Sequence, residues 1–202
     1  MSLILAIDTA APRLQLALFR DDVADVLVED MPTSQAERIF PAIAELLARN
    51  GVAYADLTRI AVTAGPGSFT GLRIGLSAAR GLALALDIPV LGIPSLLALS
   101  LTARGPVSVL LDARRDEAYF ERFSAPGIGL GGPLILPMAK ARARAVPGDT
   151  LIKSPFVDIA ALARFAATAD PAAFPPDAAY VRGADAKPQE KFRVARVPEA
   201  AP

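Results

Sequence analysis

The chain has 202 residues, 53% of them hydrophobic, and its 21 Lys+Arg balance 21 Asp+Glu to a net charge of zero. It holds no cysteine and no histidine, which excludes disulfides, thiol nucleophiles, Ser–His and Cys–His catalysis and the usual ligands of zinc and iron. Without a basic excess it is not a strongly cationic nucleic-acid binder, and any RNA is expected to be held mostly by a partner. The opening MSLILAID has no basic region before its aspartate, and the apolar stretch at 88–103 is interrupted by Pro89 and Pro94. A cytoplasmic protein with no membrane contact is expected.

In chain order, residues 3–7 form an unbroken apolar run that ends at Asp8, and 14–20 place Leu14, Leu16 and Leu18 on one face. With 23–29, after the turn pair Asp21-Asp22, these predict an antiparallel three-strand meander. Thr33 or Ser34 offers an N-cap, with Glu37 as capping-box partner of Ser34, for a helix that buries Ile39, Phe40, Ile43, Leu46 and Leu47 and stops at Asn50-Gly51. A buried strand at 59–64, a loop at 65–68, a long helix at Phe69–Leu86, a strand at 89–93 and a helix capped by Ser95 and running through Ala103 complete a first lobe, residues 1–103. Then "VSVLLDARRDEAYFERF" (107–123) repeats the strand–Asp–turn–strand order of "LILAIDTAAPRLQLALF" (3–19), as a duplicated lobe requires. A loop at 124–133, strands at 134–136 and 151–153, and helices at 138–145 and 156–169 fill a shorter second lobe, 104–202. From residue 170 a Pro/Ala-rich tail is expected to lie extended over the surface, with Arg182, Lys187, Lys191, Arg193 and Arg196 facing Asp185 and Glu190.

The stretch Gly65-Pro66-Gly67-Ser68-Phe69-Thr70-Gly71 joins a strand to a helix, where backbone N–H groups can hold an anion. No lysine follows the last glycine, so it is not a P-loop. The preferred reading is a structural turn in which Gly65, Gly67 and Gly71 permit close packing and Ser68 caps the helix. On that helix Arg73, Ser77, Arg80 and Leu84 share one narrow side, and the apolar arc is about twice the ~100° needed to cover a core. Its small edge (Gly71, Gly75, Ala78) is assigned to its own lobe and its bulky edge (Leu72, Leu76, Ala83) to a partner, with Arg38, Arg73 and Arg80 beside the interface. Asp8 and Asp112 end matching strands and would face each other across a cleft, as the aspartates of actin-like nucleotide sites do. However, Thr9-Ala10-Ala11 and Ala113-Arg114 stand where phosphate-cradling glycines belong, so any nucleotide site at Asp8, Thr9 and Asp112 is weak. The glycines at 127, 129, 131 and 132 precede no helix and read as a hairpin loop.

"ILAIDTA" and "GPGSFTGLRIG", supported in order by "QAERIFPAI", "LDARRDEAYF" and "AAYVR", resemble the TsaB (YeaZ-like) family, dimerisation subunits of the bacterial machinery that makes threonylcarbamoyladenosine in tRNA. The resemblance covers almost the whole chain. It implies an α/β, two-lobe actin-like (Hsp70-like, ribonuclease H-like) fold with a degenerate nucleotide site, no catalytic or metal-binding residue, and no strongly bound cofactor. ATP and magnesium would act only at the level of the complex. Implied partners are a TsaD-like catalytic subunit, met through the two long helices, and a TsaE-like ATPase. The resemblance also allows a homodimer in isolation, with tRNA met indirectly. The alternatives are an active actin-like ATPase or kinase and a glycoprotease-like peptidase.

Overall fold

Every side chain of the first strand, β1 (Ile4–Asp8), is buried, so both faces of the sheet it centres must be covered. The computed structural model describes residues 2–181; the basic tail residues from Arg182 onward lie outside them. β1 pairs antiparallel with β2 (Arg13–Arg20), which pairs antiparallel with β3 (Val23–Asp30). On its other side β1 pairs parallel with β4 (Arg59–Gly65), and β4 with β5 (Val90–Pro94). The order is β3-β2-β1-β4-β5. Along each strand alternate residues divide between the faces. Leu5, Ile7, Leu14, Leu16, Ile60 and Val62 meet α1 (Gln35–Arg49) and α2 (Phe69–Leu86). Ile4, Ala6, Ala17, Phe19 and Ala61 meet α3 (Ser95–Ser100) and α5 (Ile159–Thr168).

The second sheet follows residue 104. β6 (Val107–Asp112) pairs antiparallel with β7 (Glu117–Ala125) and parallel with β10 (Thr150–Ile152), as β1 does with β2 and β4. β8 (Ile128–Gly129) and β9 (Leu134–Pro137) line the outer edge of β7. Val107, Val109, Leu111 and Phe123 join the α3–α5 core, so those helices lie between the two sheets. Leu110, Ala118 and Phe120 turn outward to a small cluster under α4 (Met138–Arg144). This is a two-lobe actin-like α/β fold. The chain returns to the first lobe after α5, where Gly92 N–H donates to Phe174 O (2.9 Å) and Ala179 N–H to Ala64 O (2.8 Å).

Several local expectations change. Ser95 opens α3 without capping it, Pro94 standing at the N-cap with no side-chain bond, and the helix ends at Ser100 rather than Ala103. Ser34 is left-handed (φ 64°) and its hydroxyl makes no cap bond. Instead the Gln35 amide donates to Ala11 O (3.1 Å) and Arg13 O (2.9 Å), tying α1 to the β1–β2 turn. Phe40 points outward, 47% exposed. The last helix begins at Ile159, later than expected, because Pro155 disfavours a helical residue before it and Asp158 accepts from Ala161 N–H as its cap (3.0 Å).

Candidate functional site

Asp8 ends β1 with zero exposure. Its carboxylate accepts from Gln15 Nε2 (2.9 Å), Thr63 Oγ1 (2.6 Å) and Ala10 N–H (3.0 Å). Burial pushes this carboxyl above its ordinary range, against the pull of those three donors. Thr9 is equally enclosed, and its hydroxyl donates to Gly71 O (2.7 Å). Asp112 is exposed and accepts from Arg114 N–H (2.8 Å). It lines an inter-lobe cleft of about 440 Å³ together with Ala10, Gly67, Ser95, Arg114 and Lys153. The two aspartates therefore do not face each other across that cleft: Asp112 borders it, while Asp8 and Thr9 lie behind its wall. The Asp8 carboxylate is fully buried and does not open onto the cleft.

The Gly65–Gly71 stretch supplies that wall. Gly65 has φ 105° and lies against Leu72 and the returning chain at Ala179. Ser68 N–H donates to Ala10 O (2.7 Å), and Ser68 Oγ accepts from Gly71 N–H (3.3 Å) at the start of α2. A Cβ on Gly67 would meet Ala10 O at 2.7 Å, and one on Gly71 would meet Thr9 O at 1.9 Å. The loop is thus seated on the β1–β2 turn where a phosphate would have to enter. Ser68 and Lys153 border the same cleft, but the Ser68 hydroxyl is engaged with the helix N-terminus.

The outer side of α1 and α2 is the second candidate. The sequence assigns Leu72, Leu76 and Ala83 to a partner, but the structure puts all three in the core, 2%, 6% and 5% exposed. Both edges of α2 are covered by its own lobe. Leu72 packs on Gly65, while Gly75 sits against Thr9, Val62 and Ile7. Arg38 is engaged within its own lobe. Its guanidinium donates to Glu29 through Nε and Nη2 (2.9 and 2.6 Å) and to Glu45 through Nη1 and Nη2 (2.7 and 2.6 Å), clamping α1 to β3. Arg73 and Arg80 do face solvent. The Arg73 guanidinium lies 3.7 Å from the Phe69 ring centre and its Nε donates to Tyr180 OH (3.3 Å). Arg80 stands 3.8 Å from Asp177.

What remains open is apolar. Phe40 and Phe69, 47% and 55% exposed, border a groove of about 520 Å³ floored by Ile39, Ile74 and Ala78, and farther along α2 Leu84 is 85% exposed. The sequence held a sign of this: Leu84 shares its side of the helix with Arg73, Ser77 and Arg80, an apolar residue on the solvent face.

Three comparisons bear on these two surfaces. A family model described as "TsaD: tRNA N6-adenosine threonylcarbamoyltransferase" matches residues 29–128. A crystal structure of an uncharacterized protein with similarity to peptidase YEAZ, from Pseudomonas aeruginosa, is 34% identical with a TM-score of 0.67, over 74% of this chain and 71% of that one. The chain belongs to the TsaB/YeaZ family. YeaZ from Pseudomonas aeruginosa superposes with a TM-score of 0.74 at 27% identity, over 89% of this chain and 100% of that one. The tRNA threonylcarbamoyladenosine biosynthesis protein TsaB of Escherichia coli strain K12 is 36% identical over 132 residues. That match takes in 63% of this chain and 57% of the E. coli TsaB length.

Proposed function

We propose that this protein is a non-catalytic scaffold for the transfer of threonylcarbamoyl to the adenosine beside the tRNA anticodon. It acts in the cytoplasm and pairs with a TsaD-like catalytic subunit, which a TsaE-like ATPase joins. The observation that carries the reading is the open apolar face of α1 and α2, with Phe40, Phe69 and Leu84 exposed beside a groove. Exposed apolar patches of this kind mark protein interfaces. The sealed Asp8 and Thr9 support a scaffold rather than an ATPase or kinase, so ATP and magnesium belong to the assembled complex. The Ser68 hydroxyl, engaged in capping, supports neither a nucleophile nor a peptidase. A second copy of the chain covers the same face when the catalytic subunit is absent.

The test is capture of the purified TsaD-like subunit by the wild-type chain and by a Phe40→Arg/Leu84→Arg variant. An arginine buried without a partner costs about 3–5 kcal/mol, and each ~1.4 kcal/mol is tenfold in affinity. Binding should weaken by about a hundredfold or more. Unchanged affinity in a folded variant would remove this face from the interface and the proposal with it.

A further inference from the structure

The net charge of zero hides a division between the lobes. Residues 1–103 carry 7 Lys+Arg against 10 Asp+Glu, residues 104–153 carry 8 against 5, and residues 154–202 carry 6 against 6. The middle segment is therefore three charges positive and the first lobe three negative. Much of the excess sits on one element. α4 presents Lys140, Arg142 and Arg144, all exposed, and no acid occurs from Met138 to Gly148. None of the three makes an ion pair among the described residues.

The neighbouring carboxylates do not neutralise them. Asp149 follows the helix, but it accepts from Arg122 Nε (2.7 Å) and Ser108 Oγ (2.8 Å) and is 4% exposed. Of the strands packed against α4, β7 carries Glu117 at its start and Glu121 on the inter-lobe side with Tyr119 and Phe123; β6 ends in Asp112, which borders the cleft. Asp116 lies at the N-terminal end, where its carbonyl accepts from Met138 N–H (2.7 Å). Cations in a last turn complement the helix dipole, which accounts for Arg142 and Arg144 but not for Lys140 or for the missing acids. The face also lies on the opposite lobe from the α1–α2 groove.

We infer that α4 is a direct docking surface for the phosphodiester backbone of the tRNA, with Lys140 and Arg144, one turn apart on the same side of the helix, each meeting a phosphate. This rests on the reading under Proposed function and adds to it an RNA contact on the scaffold itself. Contacts of this kind set affinity and register without reading sequence. Each phosphate neutralised contributes about 0.7–0.9 to the slope of log affinity against log salt. The experiment measures tRNA binding over a salt series by the complex of this protein with its catalytic subunit, wild type against Lys140→Ala/Arg144→Ala, with retention of the subunit read by size exclusion in the same samples. The variant should keep the subunit and lose about one and a half to two units of slope. A variant that keeps the subunit with an unchanged slope overturns this inference and leaves the scaffold reading standing. A wild-type chain that fails to retain the subunit overturns both.

Discussion

Gly71→Ala separates a packing role for the Gly65–Gly71 turn from a ligand-binding one. The added Cβ would stand 1.9 Å from Thr9 O and 3.4 Å from the Gln35 side-chain oxygen. Backbone on both sides must therefore part by about 1.5 Å to reach an ordinary contact. Thr9 cannot retreat easily, because its hydroxyl is bonded to Gly71 O and Asp8 beside it holds three donors. Overpacking of this kind costs about 1–3 kcal/mol, and the short contact with main chain places this site at the upper end, about 2–3 kcal/mol after the gain in helix propensity. At about 2–4 °C per kcal/mol for a chain of this size, Tm should fall by roughly 5–10 °C. Gly81→Ala is the control on the same helix: nothing lies within 4 Å of its added Cβ. It should stabilise by about 0.5–1 kcal/mol and raise Tm by about 1–4 °C. Circular dichroism melts of both variants decide the matter. If Gly71→Ala melts within about 2 °C of wild type, the turn is not held by this contact and the packing argument fails.

Leu76→Arg should lower Tm sharply and give no folded monomer to assay for pairing, since Leu76 is core on the side of α2 that meets α1 and the sheet; a well-folded variant on a thermal melt would contradict its burial. Glu121, buried on β7, has its carboxyl pushed up to about 7 from an ordinary 4.5 by desolvation. The folded state thus binds more protons than the unfolded chain between those values, so stability falls as pH rises through that window. Glu121→Gln should flatten this dependence in urea melts at pH 5 and pH 8, and an unaltered pH profile would refute it.

Much of the fold was legible because it follows from period and punctuation. The apolar run before Asp8, the alternation after it and the Gly/Pro breaks around Phe69–Leu86 each mark an element whose partner lies close in sequence. β8 was not legible: Ile128–Gly129 is two residues long and exists through pairing with Phe123 and Ala125. Neither was the anchoring of α1, where the Gln35 amide donates to the β1–β2 turn and no side chain caps the helix. The faces of α2 show the deeper limit. A helical wheel counts apolar arc but does not say what covers each edge, and here β4, Gly65 and α1 cover both. The surviving surface lies where Leu84 and Phe69 interrupt the arginines. For Asp8, position at a strand end was readable from the sequence. Its closure by Gln15 and Thr63 was not, since those residues arrive from two other strands.

The most direct test of the scaffold account is threonylcarbamoyladenosine in tRNA, measured by nucleoside mass spectrometry in cells depleted of this protein and complemented with chosen variants. Depletion should lower the modification, and wild type should restore it. A Ser68→Ala chain should restore it nearly as well, because a lost cap costs only about 1 kcal/mol. Phe40→Arg/Leu84→Arg should not, although folded. Full modification with the arginine variant, or its collapse with a folded Ser68→Ala chain, would contradict a protein that works by presenting its α1–α2 face.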